Sequence, residues 1–302
     1  MNQSIKQLAI IGPTASGKSG LAVRLAQEMN ALILSLDSLS LYKEIDIVSA
    51  KLTAAEREGI VHYGIDVIPP DQHFDVTLFT KLYQDAYQQA QKEGKNLIIV
   101  GGTGFYLKSL IEGISPLPPR NDTDVKKVNE VLMDIPKAYD MLSRLDPHYM
   151  RNIASNDSYR IHKALEIYYA TNEVPSHYFK RNPPIPVIEG TLPVYHIATE
   201  RTLLRQRITQ RAIAMLQNGL IDEVAYLEKK YSRKPNCMKA IGIKETLSYL
   251  DGLFEYTMLI EKITTNTARL AKRQTTFNQS QFESIISMEL DSLEKRILEE
   301  MK

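Results

Sequence analysis

The sequence has one cysteine, Cys237, in 302 residues, which excludes an internal disulfide and any zinc site built from several cysteines. Its six histidines are scattered, with no HExxH-type spacing, so no transition-metal site built by the protein alone is expected. Net charge is only +1, so the chain has no global attraction for nucleic acid or for an acidic membrane. A polyanionic partner must then be met by a local basic patch. No stretch approaches the ~18 apolar residues of a bilayer-spanning helix. The short apolar run near the N terminus ends in a glycine turn and reads as a strand, not a leader peptide. Internal repeats and low-complexity tracts are also missing. With 43% hydrophobic and 24% charged residues, these absences describe an ordinary globular chain of a reducing cytoplasm.

What is present alternates. Apolar runs at Gln7–Ile11, Ala31–Leu36 and Asn96–Val100 read as buried strands. Helical spacing follows the first run at Leu21, Leu25 and Ala26, and returns over residues 75–94. Thr53 and Glu56 fit a helix start. Strands alternating with helices predict a parallel sheet with helices on both faces. From Ser115 to about Pro193 the buried-strand pattern stops, and helical segments at 122–133, 136–145 and 157–169 lie between proline clusters. A strand pattern returns at 192–199, followed by helices at 201–217, 220–231, 240–250 and 255–277, a short strand at 284–288 and a closing helix. The expected fold is therefore α/β, a P-loop parallel-sheet core flanked by helices, with an inserted α-helical domain. Residues 1–119 and 193–302 form the core in this reading, and residues 120–192 the insert.

The name P-loop rests on Gly12, Pro13, Thr14, Ala15, Ser16, Gly17, Lys18 and Ser19, which match GxxxxGK[ST] between an apolar strand and a helix. Backbone N–H groups in such a loop turn inward around phosphate oxygens, and the following helix aims its positive end at them. Lys18 adds a point charge, and the Ser19 hydroxyl can ligate Mg2+.

The chain fits an ordinary nucleotide hydrolase poorly. Such an enzyme carries an acid at the end of a second core strand to hold Mg2+, whereas the strand ending at Val100 runs into Gly101-Gly102-Thr103-Gly104. The acid stands instead at Asp37, directly after the 31–36 strand. A carboxylate at the carboxyl end of a parallel strand lies where such folds place active sites. Asp37 could otherwise cap the next helix, and Thr103 could be a turn residue. Together with the loop they outline a pocket for a phosphorylated ligand that need not be ATP.

Several segments, in this order, resemble those of bacterial tRNA dimethylallyltransferases. They are GPTASGKS from Gly12, DSLSLYKEIDIVSAK from Asp37, VGGTGFYLKSLIEG from Val100, NDSYRIHKALEIYYAT from Asn156, RITQRAIAMLQNGLIDEV from Arg207, AIGIKE from Ala240 and RLAKRQTTF from Arg269. The resemblance covers nearly the whole chain. It departs at Ser40, Val48-Ser49, Ile243 and Phe277, where the family usually has glutamine, glycine-threonine, tyrosine and tryptophan.

The resemblance implies transfer of a dimethylallyl group from dimethylallyl pyrophosphate to N6 of the adenosine 3′-adjacent to the anticodon, with Mg2+. It implies Asp37 as general base, and Thr103 and Arg211 with the 12–19 loop as holders of the leaving group, Ser19 lying on the metal. Contacts with the tRNA anticodon stem-loop are implied for Asp37, Ser38, Leu39, Ser40 and Thr103, for Lys126, and for Tyr159, Arg160, Ile161, His162 and Lys163. A last set is Lys239, Ala240, Ile241, Gly242, Ile243 and Lys244. Arg201, Arg205 and Arg207 on one predicted helix, and Lys262, Arg269, Lys272 and Arg273 on another, are further phosphate-contact candidates or ordinary surface. A cytoplasmic monomer without membrane contact is expected. The competing readings are a small-molecule or nucleotide kinase, an isopentenyltransferase of free adenine nucleotides, and a tRNA-binding module without catalysis.

Overall fold

The computed structural model describes residues 5–119 and 121–301; the expected boundaries at 1, 120 and 302 lie outside them. Two compact units are present, one of residues 1–108 with 188–302 and one of residues 109–187.

The first unit is built on a six-stranded parallel sheet in the order β3-β2-β4-β1-β5-β6. Here β1 is Gln7–Ile11, β2 Ala31–Ser35, β3 His62–Tyr63, β4 Asn96–Gly101, β5 Val194–Ile197 and β6 Ile285–Met288. Central β1 aligns Ile10 with Val100 of β4 and with Tyr195 of β5. Strand alternation sends Leu8, Ile10, Ile33, Ile98, Tyr195 and Ile197 into one cluster. Helix α1 (Lys18–Glu28) covers it with Leu21, Ala22, Leu25 and Ala26, and the C-terminal helix (Leu290–Glu300) adds Leu293 and Ile297. Each buried leucine or isoleucine among them stabilises the unit by about 1.5–3 kcal/mol.

Helix α2 (Val76–Glu93) begins at Asp75, whose side chain accepts from the backbone N–H groups of Thr77 and Leu78. It stops at Gly94, in the left-handed region at φ +63°. Helix α3 (Gly104–Glu112) follows β4.

The second unit holds α4 (Asp122–Leu132), α5 (Ile135–Leu145), α6 (Pro147–Met150), α7 (Ser158–Thr171) and α8 (Pro175–Arg181). Its core gathers Val128, Ala138, Leu142, Met150, Ile161 and Leu165. Buried Asp146 links helices, its two oxygens accepting from the N–H of Tyr149 (3.0 Å) and of Ser176 (2.7 Å). At the base of the unit Ile114 pairs with Ile185, and Gly113 approaches so closely that an added Cβ would lie 2.2 Å from the Ile185 backbone.

The remaining helices of the first unit are α9 (Arg201–Gln217), α10 (Leu220–Tyr231), α11 (Ile243–Leu250), α12 (Tyr256–Gln281) and the C-terminal α13. Helices α9 to α12 share a second core with the loop carrying Tyr42, Ile45 and Val48. No helix among the described residues is long and apolar enough to cross a membrane.

Three local expectations are corrected. Thr53 and Glu56 form their capping bonds, yet the chain makes only a turn, because Glu58 and Gly59 take positive φ values of +47° and +76°. The expected 240–250 helix starts later, at Ile243, after a short 3-10 turn at Asn236–Lys239. Helix α12 runs on to Gln281, since residues 278–281 contain no helix breaker.

Candidate active site

Strands β2, β4 and β1 are neighbours, and their carboxyl ends deliver Asp37, Thr103 and the 12–19 loop to one edge of the sheet. Adjacent strands lie about 4.8 Å apart, so one small ligand can reach all three loops. The loop is shaped by Gly17 at φ +90°, where an added Cβ would lie 2.5 Å from Leu290 Cδ1. Lys18 is buried and its Nζ donates to the Pro13 carbonyl at 2.6 Å, whereas Ser19 is exposed. Ser16 Oγ is buried and has no partner among the described residues.

Thr14 is held twice. Its N–H donates to Gln274 Oε1 at 2.8 Å, and its hydroxyl oxygen accepts from Arg211 Nη1 at 3.2 Å. Arg211 Nη2 donates to the Ser49 carbonyl at 3.3 Å. Asp37 Oδ1 accepts from the N–H groups of Leu39 (2.8 Å) and Ser40 (3.3 Å), which fixes the carboxylate; Oδ2 has no partner among the described residues. The Thr103 N–H donates to the Leu36 carbonyl at 3.3 Å.

Two cavities meet here. One of about 420 Å3 is lined by the loop with Lys18, Arg207 and Arg211. The other, of about 340 Å3, is lined by Ser38, Leu39, Thr103 and the segment Lys239 to Gly242. Thr14, Asp37, Ser49, Arg211 and Gln274 line both and form the partition. Asp37 is the only carboxylate lining either cavity among the described residues, against three cations in the first.

That imbalance makes an anion site. Burial, then repulsion from Arg211, lowers Lys18 to about 8, with Asp37 opposing the drop. Burial lowers Arg211 as well, again against the pull of Asp37. An anion arriving beside them would oppose both shifts. No group of three or more histidine, cysteine or acidic side chains that could hold a metal is found among the described residues. A divalent cation at this edge would therefore draw most of its ligands from the oxygens of a bound substrate, with the exposed Ser19 hydroxyl beside them.

The residues implied for tRNA contact separate into groups. Ser38, Leu39, Lys239, Ala240, Ile241 and Gly242 line the second cavity with Asp37 and Thr103. Ser40 is buried and lines the first. Lys244 lies outside both, in a cleft with Lys262 and Arg269. The Ile243 side chain is fully buried in the helical core. In the helical unit, Lys126, Tyr159 and Arg160 are exposed, Arg160 pairing with Asp157 at 3.3 Å. Lys163 stands 5.8 Å from the Tyr159 ring centroid and pairs with Glu166 at 2.8 Å, and His162 approaches Glu166 at 3.5 Å. The Ile161 side chain is likewise fully buried, in the core of that unit. Of the arginine run, Arg201 and Arg205 are exposed while Arg207 and Arg211 line the first cavity. Arg269, Lys272 and Arg273 are exposed along a cleft beside Phe277.

Two site residues were given no role from the sequence. Gln274 stood inside a quoted segment without a role, and Ser49 acts through its carbonyl, which side-chain chemistry does not announce.

Comparison with known proteins follows the same lines. The sequence model of the IPP transferase family matches residues 40–281. A tRNA dimethylallyltransferase of Sulfurovum sp. (strain NBC37-1) is 59% identical over 299 residues, covering 99% of each chain. The crystal structure of the full-length tRNA isopentenylpyrophosphate transferase from Bacillus halodurans superposes with TM-score 0.71 at 30% identity, covering 99% of this chain and 98% of that one. A eukaryotic dimethylallyltransferase acting on tRNA gives TM-score 0.80 at 28% identity, over 94% of this chain and 74% of that one.

Proposed function

The chain belongs to the IPP transferase family, and from that premise we propose that it transfers a dimethylallyl group from dimethylallyl diphosphate to N6 of the adenosine 3′-adjacent to the anticodon of tRNA. The observation that carries this reading is the partition: one carboxylate between a cationic phosphate cavity and a second cavity with less charge.

The chemistry asks for three services. Adenine N6 is a weak nucleophile because its lone pair is delocalised into the ring, so it must be positioned and relieved of a proton. The allylic C1–O bond breaks easily once the departing diphosphate is neutralised. In the proposed arrangement the diphosphate lies on the 12–19 loop, with Lys18 and Arg211 as its cations. The base enters the second cavity, N6 attacks C1, the C1–O electron pair leaves with the diphosphate, and Asp37 accepts the N6 proton. The two N–H groups on Asp37 Oδ1 hold that carboxylate while leaving Oδ2 for the proton. Thr103 at the end of β4 borders the base cavity. Mg2+ would be held by Ser19 and the ligand's phosphates, where it supplies charge neutralisation for the leaving group.

The target base lies in a single-stranded loop, where unstacking costs little, so it can be extruded into a cavity. The exposed cations Lys126, Arg160, Lys244, Arg269, Lys272 and Arg273 are the proposed phosphate contacts. A kinase reading is disfavoured by the missing acid after β4, where Gly101 to Gly104 stand.

The test is incubation of the protein with labelled dimethylallyl diphosphate and unmodified tRNA. Label is expected in the anticodon loop. ATP consumption without such label would sink the reading.

A further inference from the structure

Outside both cavities, the first turn of α10 carries Glu223, whose carboxylate gathers three successive backbone amides. Its Oε2 accepts from the N–H groups of Asp46 (2.8 Å) and Ile47 (2.7 Å), and its Oε1 from that of Val48 (3.0 Å). Glu223 has no ion-pair partner among the described residues, so the amides are what hold it. Hydrogen bonds to an ionised acceptor are about twice as strong as neutral ones. The loop they tie down is strained at both ends, with Glu44 and Ala50 at φ +64° and +47°. A loop in that conformation needs an external anchor.

The anchored loop ends in Ser49, and the Ser49 carbonyl is the acceptor for Arg211 Nη2, while Nη1 of the same guanidinium reaches Thr14 in the phosphate loop. A guanidinium is a planar fork, so fixing one prong fixes the direction of the other. The chain of contacts therefore runs from Glu223 through three amides to the Ser49 carbonyl, then through Arg211 to Thr14.

We propose that Glu223 is a positioning residue for the transfer reaction: it sets the 46–49 loop and thereby aims Arg211 at the leaving group. The proposal rests on the functional reading above. Wild-type transfer of label tests that reading separately, so failure of one is not failure of the other.

The experiment is steady-state transfer to tRNA by the full chain carrying Glu223→Gln, alone and combined with Arg211→Lys. The amide keeps the size of the side chain but offers one acceptor and a donor where two acceptors stood. Displacing a catalytic group by about 1 Å can cost on the order of 10²-fold, so kcat should fall by about 10- to 100-fold in the Glu223→Gln variant. The KM for tRNA should stay within about twofold. In the Arg211→Lys background, where the fork is already gone, the same change should cost less than about threefold. Glu223→Asp retains the carboxylate and should recover part of the lost turnover, and it serves where Glu223→Gln fails to fold. Wild-type kinetics for Glu223→Gln would overturn the proposal. So would an equal loss in both backgrounds, or an aspartate no better than glutamine.

Discussion

Raising the pH through 8 should weaken binding of a prenyl diphosphate, because the charge on Lys18 is the part of the phosphate loop most easily lost. Burial and the nearby Arg211 bring its ammonium down from 10.5 to about 8. That drop corresponds to about 3 kcal/mol of bias toward the neutral amine. In the ligand-free protein the folded value lies below the unfolded one, so the native state holds fewer protons than the unfolded chain between about pH 8 and 10.5. Stability contributed at this position therefore rises with pH across that window. Binding runs the other way. A diphosphate favours the ammonium, so its association draws a proton onto Lys18 wherever the free protein lacks one. Affinity should be flat below about pH 7 and fall by up to ~10-fold per pH unit above 8, until the bound-state value is reached. Calorimetry with an unreactive dimethylallyl diphosphate analogue, in two buffers of different ionisation enthalpy, reads the proton directly. Uptake should be near zero at about pH 6.5 and approach one at about pH 9.5. Lys18→Met should remove the pH dependence along with much of the affinity. Constant affinity from about pH 7 to 9.5 without proton uptake would refute the reasoning.

The other expectations are shorter. Asp37→Asn should leave tRNA binding nearly intact and cut turnover by ~10²-fold or more, the scale of lost general-base catalysis; near-normal turnover in a single-turnover assay means the base is elsewhere. Gly17→Ala places a methyl 2.5 Å from Leu290 Cδ1 at φ +90°. It should lower stability by about 1–3 kcal/mol and weaken diphosphate binding, so an unshifted melting curve would contradict the loop geometry. Affinity for tRNA should fall at least ~10-fold between about 50 and 200 mM salt, and a flat response in filter binding would remove the exposed cations from the interface.

The fold was legible where a feature is local. Strands β1, β2 and β4 are apolar on both faces, and a run of four or five such residues between turns has few other uses. The two-residue β3 was not legible, because His62–Tyr63 is half-buried and held by one neighbour only. Thr53 and Glu56 show the opposite failure. The local signal was correct and its bonds form, but the backbone at Glu58 and Gly59 ends the turn before a helix can propagate.

The same distinction governs the site. Asp37, Thr103 and the 12–19 loop each follow a strand directly, so parallel topology alone brings them to one edge. The roles of Gln274 and Ser49 were invisible because their partners lie far away in sequence, Thr14 and Gln274 being 260 residues apart and Ser49 and Arg211 162. The implied tRNA contacts on α7 are divided by helix geometry. A resemblance transfers residues 159–163 as a block, but a helix of 3.6 residues per turn cannot present five consecutive side chains to one partner. Tyr159 and Arg160 face outward, Ile161 enters the core, and Lys163 returns to pair with Glu166. A contact surface on that helix is therefore a stripe, and Ile161 serves it only by packing the helix that carries it.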